Sequence, residues 1–265
     1  MYIDFHTHGK LAKNLPFSTE YTEWLMREAK EAGLDAICLT EHFNTLQFDE
    51  LYKYLAKVCT RDGDTLITQD GVRVFVGMET DIAEGGHILS IGKLEDILEL
   101  NTCLEPYKKK REFLTFESLM NVFERYPVIV GAAHPYREGS HISELPFEQL
   151  KRLQFLDLNG KDVALDREYY ETETGELAKK LNIPMISGSD THQSVQYGCI
   201  RTKLSYSVNT VEKLYEQMKD GNYEIVVSSN IGYQVKVAGL LKKLLKEIHA
   251  LGGNYVSMLT SQSSE

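Results

Sequence analysis

Side chains that bind metal ions recur at the ends of short apolar runs in this chain: His6, His8, His42, Glu79, His134, Asp190 and His192. Their contexts are DFHTH, LTEH, GMET, GAAHP and GSDTH, and His87 follows the turn signal Gly85-Gly86. Side chains of a strand alternate between its faces, so His6 and His8 point the same way, as do Asp190 and His192. Two converging pairs of this kind make a metal site. Imidazole nitrogen with few carboxylates favours Zn, Mn or Fe over Ca or Mg. A carboxylate such as Glu79 can bridge two ions about 3.5–4 Å apart, and the centre can lower the pKa of a bound water to about 7. The resulting chemistry is hydrolysis by a metal-bridged hydroxide, with Glu79, Asp190 and His192 as the catalytic groups. Three dications less Glu79, Asp190 and one hydroxide would sum to about +3, which draws in an anionic phosphate ester.

The elements that must hold these residues can be read from periodicity. Strands are predicted over 2–6, 36–40, 72–78, 87–91, 128–133, 155–158, 185–187, 199–204 and 223–227. Helices are predicted over 19–32, 48–57, 116–125, 167–181 and 211–219, with a C-terminal helix at 230–250 and a polar, fraying tail at 257–265. In the C-terminal helix Leu240, Leu241, Leu244, Leu245 and Ile248 form the apolar stripe of an amphipathic helix docked on the body, and Lys242, Lys243 and Lys246 form a basic cluster on the same segment. Strands alternating with helices imply βαβ units and a parallel sheet. In a barrel of such units, functional residues gather at the C-terminal ends of the strands, where these candidates fall.

Taken in order, the motifs give the chain a family resemblance. His-Thr-His at 6–8, Thr-Glu-His at 40–42, the Glu79 turn, Ala-His-Pro at 133–135 and Ser-Asp-Thr-His at 189–192 resemble the PHP (polymerase and histidinol phosphatase) superfamily from residue 2 to about residue 205. The resemblance implies an α/β fold, a distorted TIM-like (β/α)7 barrel forming a single domain over 1–265. It further implies a centre of two or three divalent ions that hydrolyses phosphoesters, in the manner of a histidinol phosphatase. Carried over, His6, His8, Glu79 and Asp190 would hold one metal. Glu79, His87 and His134 would hold a second, and His42 with His192 a third. Two departures stand out. The family commonly places an Asp or His ligand where this chain has Lys13 and Asn14, and its usual Thr-Asp-His carries Glu41 here.

Phosphate recognition calls for cations beside the metals, and Arg137, Arg201 and Lys161 are the candidates by their nearness to His134, His192 and the strand end at Asn159. The expected substrate is a small phosphorylated metabolite. The net charge of −10 argues for no nucleic-acid partner, because backbone binding depends on clustered Lys and Arg. Nothing reaches the roughly 20 apolar residues of a membrane span. Four separated cysteines with no Cys-x-x-Cys, and no signal-peptide pattern at the start, point to a cytoplasmic setting. These properties also allow a homo-oligomer. Two other functions compete: an amidohydrolase-type hydrolase, which also uses a His-x-His pair and a late Asp, and a non-catalytic metal-binding module, for which the missing ligand at Lys13 or Asn14 speaks.

Overall fold

In a computed structural model of the chain, residues 1–260 are described. The strands are β1 (Tyr2–Thr7), β2 (Ala36–His42), β3 (Thr60–Asp62), β4 (Thr65–Ile67), β5 (Arg73–Asp81), β6 (His87–Gly92), β7 (Ile129–Ala133), β8 (Phe155–Asn159), β9 (Met185–Gly188), β10 (Ile200–Leu204) and β11 (Tyr223–Val227). The helices are α1 (Thr19–Glu31), α2 (Phe48–Val58), α3 (Leu94–Cys103), α4 (Phe116–Phe123), α5 (Phe147–Leu150), α6 (Gly160–Val163), α7 (Arg167–Leu181), α8 (Val211–Lys219), α9 (Ile231–Ala250) and α10 (Tyr255–Thr260). Local chemistry sets several boundaries. The side chains of Ser18 and Asp166 cap α1 and α7 by accepting from the amides of Tyr21 and Tyr169, and Asn182 ends α7 at φ 57°.

The strands form one sheet in the order β11-β10-β1-β2-β5-β6-β7-β8-β9, with the β3–β4 hairpin joined to β5. It curls until β9 meets β1: the Asp190 amide donates to His6 O at 2.7 Å, the His8 amide donates to Thr191 O at 3.0 Å, and Thr7 and Thr191 form an isolated parallel bridge. The result is a nearly closed, distorted TIM-like barrel. The sheet is mixed rather than parallel. β6 runs antiparallel to both β5 and β7, and β10 runs antiparallel to β1 and β11. The reason lies in the connection: only residues 82–86 separate β5 from β6, a hairpin-length link too short for the crossover that parallel strands need.

Two apolar layers result. Ile3, Phe5, Ala36, Cys38, Phe75, Leu89, Ile129, Phe155 and Ile186 fill the barrel, closed at one end by Leu214 and Met218 of α8. Alternate residues such as Ile37, Leu39, Val74, Val76 and Leu156 join the outer helices in a larger core. The predicted polar tail is partly wrong, because residues 257–260 belong to α10, with Tyr255 buried. Residues 261–265 of that expectation lie outside the described residues.

Candidate metal centre

The open end of the barrel is polar, and its residues come from strand parity. Ala36, Cys38, Thr40 and His42 share one face of β2; Phe75, Gly77 and Glu79 share one face of β5. The first members of each series pack in the barrel core, so His42 and Glu79 are the same inward face continued to the rim. In β1 the parity of Ile3 and Phe5 would turn His6 outward, but the pairing with β2 shifts register between Asp4 and Thr7. Such an irregularity re-aims side chains. Here it lets His6 face the centre together with His8. His87 arrives by a different route: because β6 is antiparallel, its first residue lies at the same rim, opposite Asp81. Gly188 at the end of β9 leaves no room for a side chain, since a Cβ there would collide with the Cβ of His6.

Glu79, 1% exposed, is the hub. Its Oε1 lies 3.4 Å from His6 Nε2, 2.9 Å from His87 Nδ1 and 3.3 Å from His134 Nε2. Its Oε2 lies 2.9 Å from His42 Nδ1 and 3.4 Å from His8 Nε2. Asp190 Oδ1 stands 3.3 Å from His8 Nε2 and 3.8 Å from His192 Nε2. Three groups of side chains therefore converge closely enough to hold an ion: His6, His8 and Asp190; His6, Glu79 and His134; and His8, His42 and His192. His134 and Asp190 sit at positive φ, 35° and 55°, a strained backbone that costs on the order of 1–3 kcal/mol each and clusters at functional sites.

Outer partners fix the imidazoles. His8 Nδ1 lies 3.6 Å from Glu41 Oε1 without a hydrogen bond, but His6 Nδ1 is 2.9 Å from Asp157 Oδ2 and His192 Nδ1 is 2.9 Å from the carbonyl of Lys10. Each leaves Nε2 turned inward, the arrangement by which ligating histidines are held. Glu41 also accepts from the amides of Gly9 and His42, so the longer acid is built into the turn. Buried and without a hydrogen-bond partner are His6 Nε2, His8 Nε2, His42 Nδ1 and Glu79 Oε2. An orphaned buried polar atom costs about 1–3 kcal/mol. Several such atoms aimed at one spot, drawn from imidazole and carboxylate, fit divalent ions of the Zn, Mn and Fe type.

Electrostatics divide that donor set. Burial would lower His6, His8 and His87, but neighbouring carboxylates, Glu79 foremost for His6 and His87 and Asp190 for His8, hold them above the ordinary imidazole value, His87 at about 10. The remaining donors take their ligating forms. Burial would raise Glu79, but the imidazoles of His42, His87 and His6 hold its carboxyl well below the usual range. Burial likewise opposes ionisation of Asp190, and Lys161, His8 and Arg137 overcome it. Burial, helped by neighbouring cations, keeps His134 and His192 well below the ordinary imidazole value and therefore neutral. Burial also lowers His42. Metal ligands must be in these forms.

The predicted cations separate into two classes. Lys161 Nζ and Arg137 Nη1 each lie 2.8 Å from Asp190 Oδ2. Arg137 is further pinned by Asp162 Oδ1 at 2.8 Å and Asn159 Oδ1 at 2.6 Å, which makes it a brace for Asp190. Arg201 is not brought to the centre. It lies on β10, which is antiparallel to β1, so nearness in sequence to His192 carries it away from the rim. Its guanidinium covers the Tyr2 ring at 4.2 Å and donates to Ala32 O at 3.3 Å. Lys13, at the position of the absent ligand, turns its ammonium toward Asp81 at 3.9 Å.

Sequence reading missed Asp157, Asp81, Asp162 and Lys242. The signal for Asp157 was present, an acid inside the apolar run FLDLN with the parity of Asn159. Lys242 was read only as one of a basic cluster on the helix, with Leu240 and Leu244 in its docked stripe, yet Lys242 is half-buried on α9 and Leu240 and Leu244 are 55% and 58% exposed. The inner face of α9 is Ala238, Leu241, Lys242 and Leu245, because the helix docks beside the polar rim as well as on the core.

The model of the PHP domain family matches residues 4–171, and that of the PHP-associated family matches residues 172–223. No curated protein matches the sequence. Among solved structures the chain is similar to PsfC from Pseudomonas syringae, with 24% identity and a TM-score of 0.74 over 92% of this chain and 98% of that one. It is also similar to the lesion-specific endonuclease Q from Pyrococcus furiosus, with 19% identity and a TM-score of 0.60 over 84% of this chain and 57% of that one. A complex of endonuclease Q with a 27-mer duplex substrate, an abasic lesion at its active site, gives 19% identity and a TM-score of 0.61 over the same shares. At these identities the likeness is one of fold. It is enough to correct one expectation: net charge does not exclude nucleic acid, because a barrel of this fold takes a DNA duplex into its active site. The charge around the mouth matters more than the total, and here it includes Lys161 and Lys242. No helix among the described residues is long and apolar enough to cross a membrane.

Proposed function

This chain belongs to the PHP domain family, and from that premise we propose that it hydrolyses the phosphate ester of a small phosphorylated metabolite at a centre of two or three divalent ions. The observation that carries the reading is the set of buried, unpartnered ligand atoms converging around Glu79 and Asp190 at the barrel rim. His6, His8, Glu79 and Asp190 would hold one ion, Glu79, His87 and His134 a second, and His42 with His192 a third, to which His8 is close enough to contribute. Such ions, once bound, supply Lewis acidity and a water acidic enough to serve as nucleophile at neutral pH.

The chain's own residues do the rest. Glu79 and Asp190 enter ionised, and His134 and His192 neutral, so all four are ready to ligate without first losing a proton. Asp157 and the Lys10 carbonyl fix the tautomers of His6 and His192. Arg137, held by Asp162 and Asn159, keeps Asp190 in its strained conformation. Lys161, 33% exposed, is the better placed of the two cations to meet an incoming phosphate.

The test is turnover of a generic phosphomonoester by protein loaded with Mn or Zn. His8→Ala and Asp190→Ala should each abolish it while the fold survives, and activity indifferent to both would refute the assignment. A second reading, a phosphodiester in nucleic acid, is favoured by the fold shared with endonuclease Q. Cleavage of an abasic-site duplex with no phosphomonoester turnover would put it first.

A further inference from the structure

Helices α9 and α10 lie beyond both family matches, which end at residue 223, yet α9 is fastened to the rim. Gln234 Nε2 donates to the carbonyls of Val195 and Tyr197 at 3.3 and 3.2 Å. Ile231 and Val235 pack on Val163 of α6, Leu158 and Ile200. Those contacts seat the helix between the segment carrying Asp190 and His192 and the short helix carrying Lys161. Residue 242 falls four positions after buried Ala238 and three before buried Leu245, which places it on the docked face. The sequence spends that inward position on a lysine and leaves Leu240 and Leu244 in solvent.

The Lys242 ammonium has no carboxylate partner among the described residues. Burial pushes it down to about 8; Lys161 and Lys246 act in the same direction, and Asp190 and Glu41 oppose them. His192 feels Lys242 in turn. A partly buried cation without a counter-ion is costly, and an anionic ligand offsets that cost. We propose that Lys242 is a substrate-binding residue, brought by the C-terminal helix to the metal centre so that it and Lys161 together hold the phosphate group of the substrate. The proposal rests on the phosphoesterase reading above and assigns part of its affinity to a segment outside the family core.

Inorganic phosphate, the product of that reaction, is the probe. Its binding to the Mn-loaded full chain is measured by titration calorimetry, with metal content determined on the same samples. K242A should weaken phosphate about 10–100-fold, the worth of one charged hydrogen bond. K242R should restore most of it, and K246A, on the exposed side, should leave it unchanged. If K242A fails to fold, K242M, which keeps the stem and removes the charge, replaces it. Wild-type affinity in the uncharged variant at full metal content would overturn the role of Lys242 alone. No phosphate binding by the metal-loaded wild type would overturn the phosphoesterase reading together with it.

Discussion

The two ends of the barrel are made by the same strands and obey opposite rules. At one end the inward positions are Ile3, Phe5, Ala36, Cys38 and Phe75, sealed by Leu214 and Met218. A few residues further along, on the same faces of β2 and β5 and past the register shift of β1, the inward positions are His42, Glu79, His6 and His8, with polar atoms left unpartnered in the interior. Burial stabilises at the first end, at about 25 cal/mol per Å² of apolar surface, and destabilises at the second, at about 1–3 kcal/mol per orphaned polar atom. The difference teaches that the apolar end holds the barrel together so that the polar end can be kept poised for ions.

That division can be broken from either side. Phe75→Ala, at the apolar end, should lower unfolding free energy by about 3–5 kcal/mol in a denaturant titration, while metal stoichiometry measured under native conditions stays that of wild type. Loss of metal with no loss of stability would erase the division. Asp157→Asn, at the polar end, should lower metal affinity about 10–100-fold in a chelator competition, because the amide can no longer fix His6 as the carboxylate does. Its thermal midpoint without metal should move little.

Asp4 tests the border between the ends. It is fully buried between Ile3 and Phe5, accepts from the amides of His6 and Ser189, and burial pushes its carboxyl up to about 7. A raised folded pKa means that the folded chain keeps a proton the unfolded chain has released, so stability falls as pH rises from about 4 toward 7. Asp4→Asn should remove that slope, by on the order of 1 kcal/mol per pH unit at most, when unfolding is compared at pH 5 and pH 7.5. A slope identical in the variant would remove Asp4 from the border.

Much of this was legible in the sequence, for identifiable reasons. Helix α7 and strand β11 fall on the residues that periodicity marks, because caps and apolar phase agree there. The β3–β4 hairpin and α3 were not foreseen. The hairpin strands are three residues each, too short for a period to register, and the residues of α3 follow β6 without a side-chain cap. The strand-end histidines and acids were legible because ligand chemistry restricts residue type. Arg201 and Lys242 were misjudged for a shared reason: the first is near the centre in sequence and far in space, the second the reverse, and only the direction of β10 and the docking of α9 decide it. The register shift in β1, which turns His6 and His8 to the inward face that Ile3 and Phe5 occupy, leaves no mark in composition.

The seam of the barrel lies where the candidate metal ligands are. β1 and the segment after β9 are stitched by hydrogen bonds from Asp190 to His6 and from His8 to Thr191, and the side chains of His6, His8 and Asp190 converge on one another. Whatever draws those side chains together also clasps the last strand to the first. The ion would then be a rivet as well as a reagent, and the barrel would be most tightly shut when the catalyst is complete.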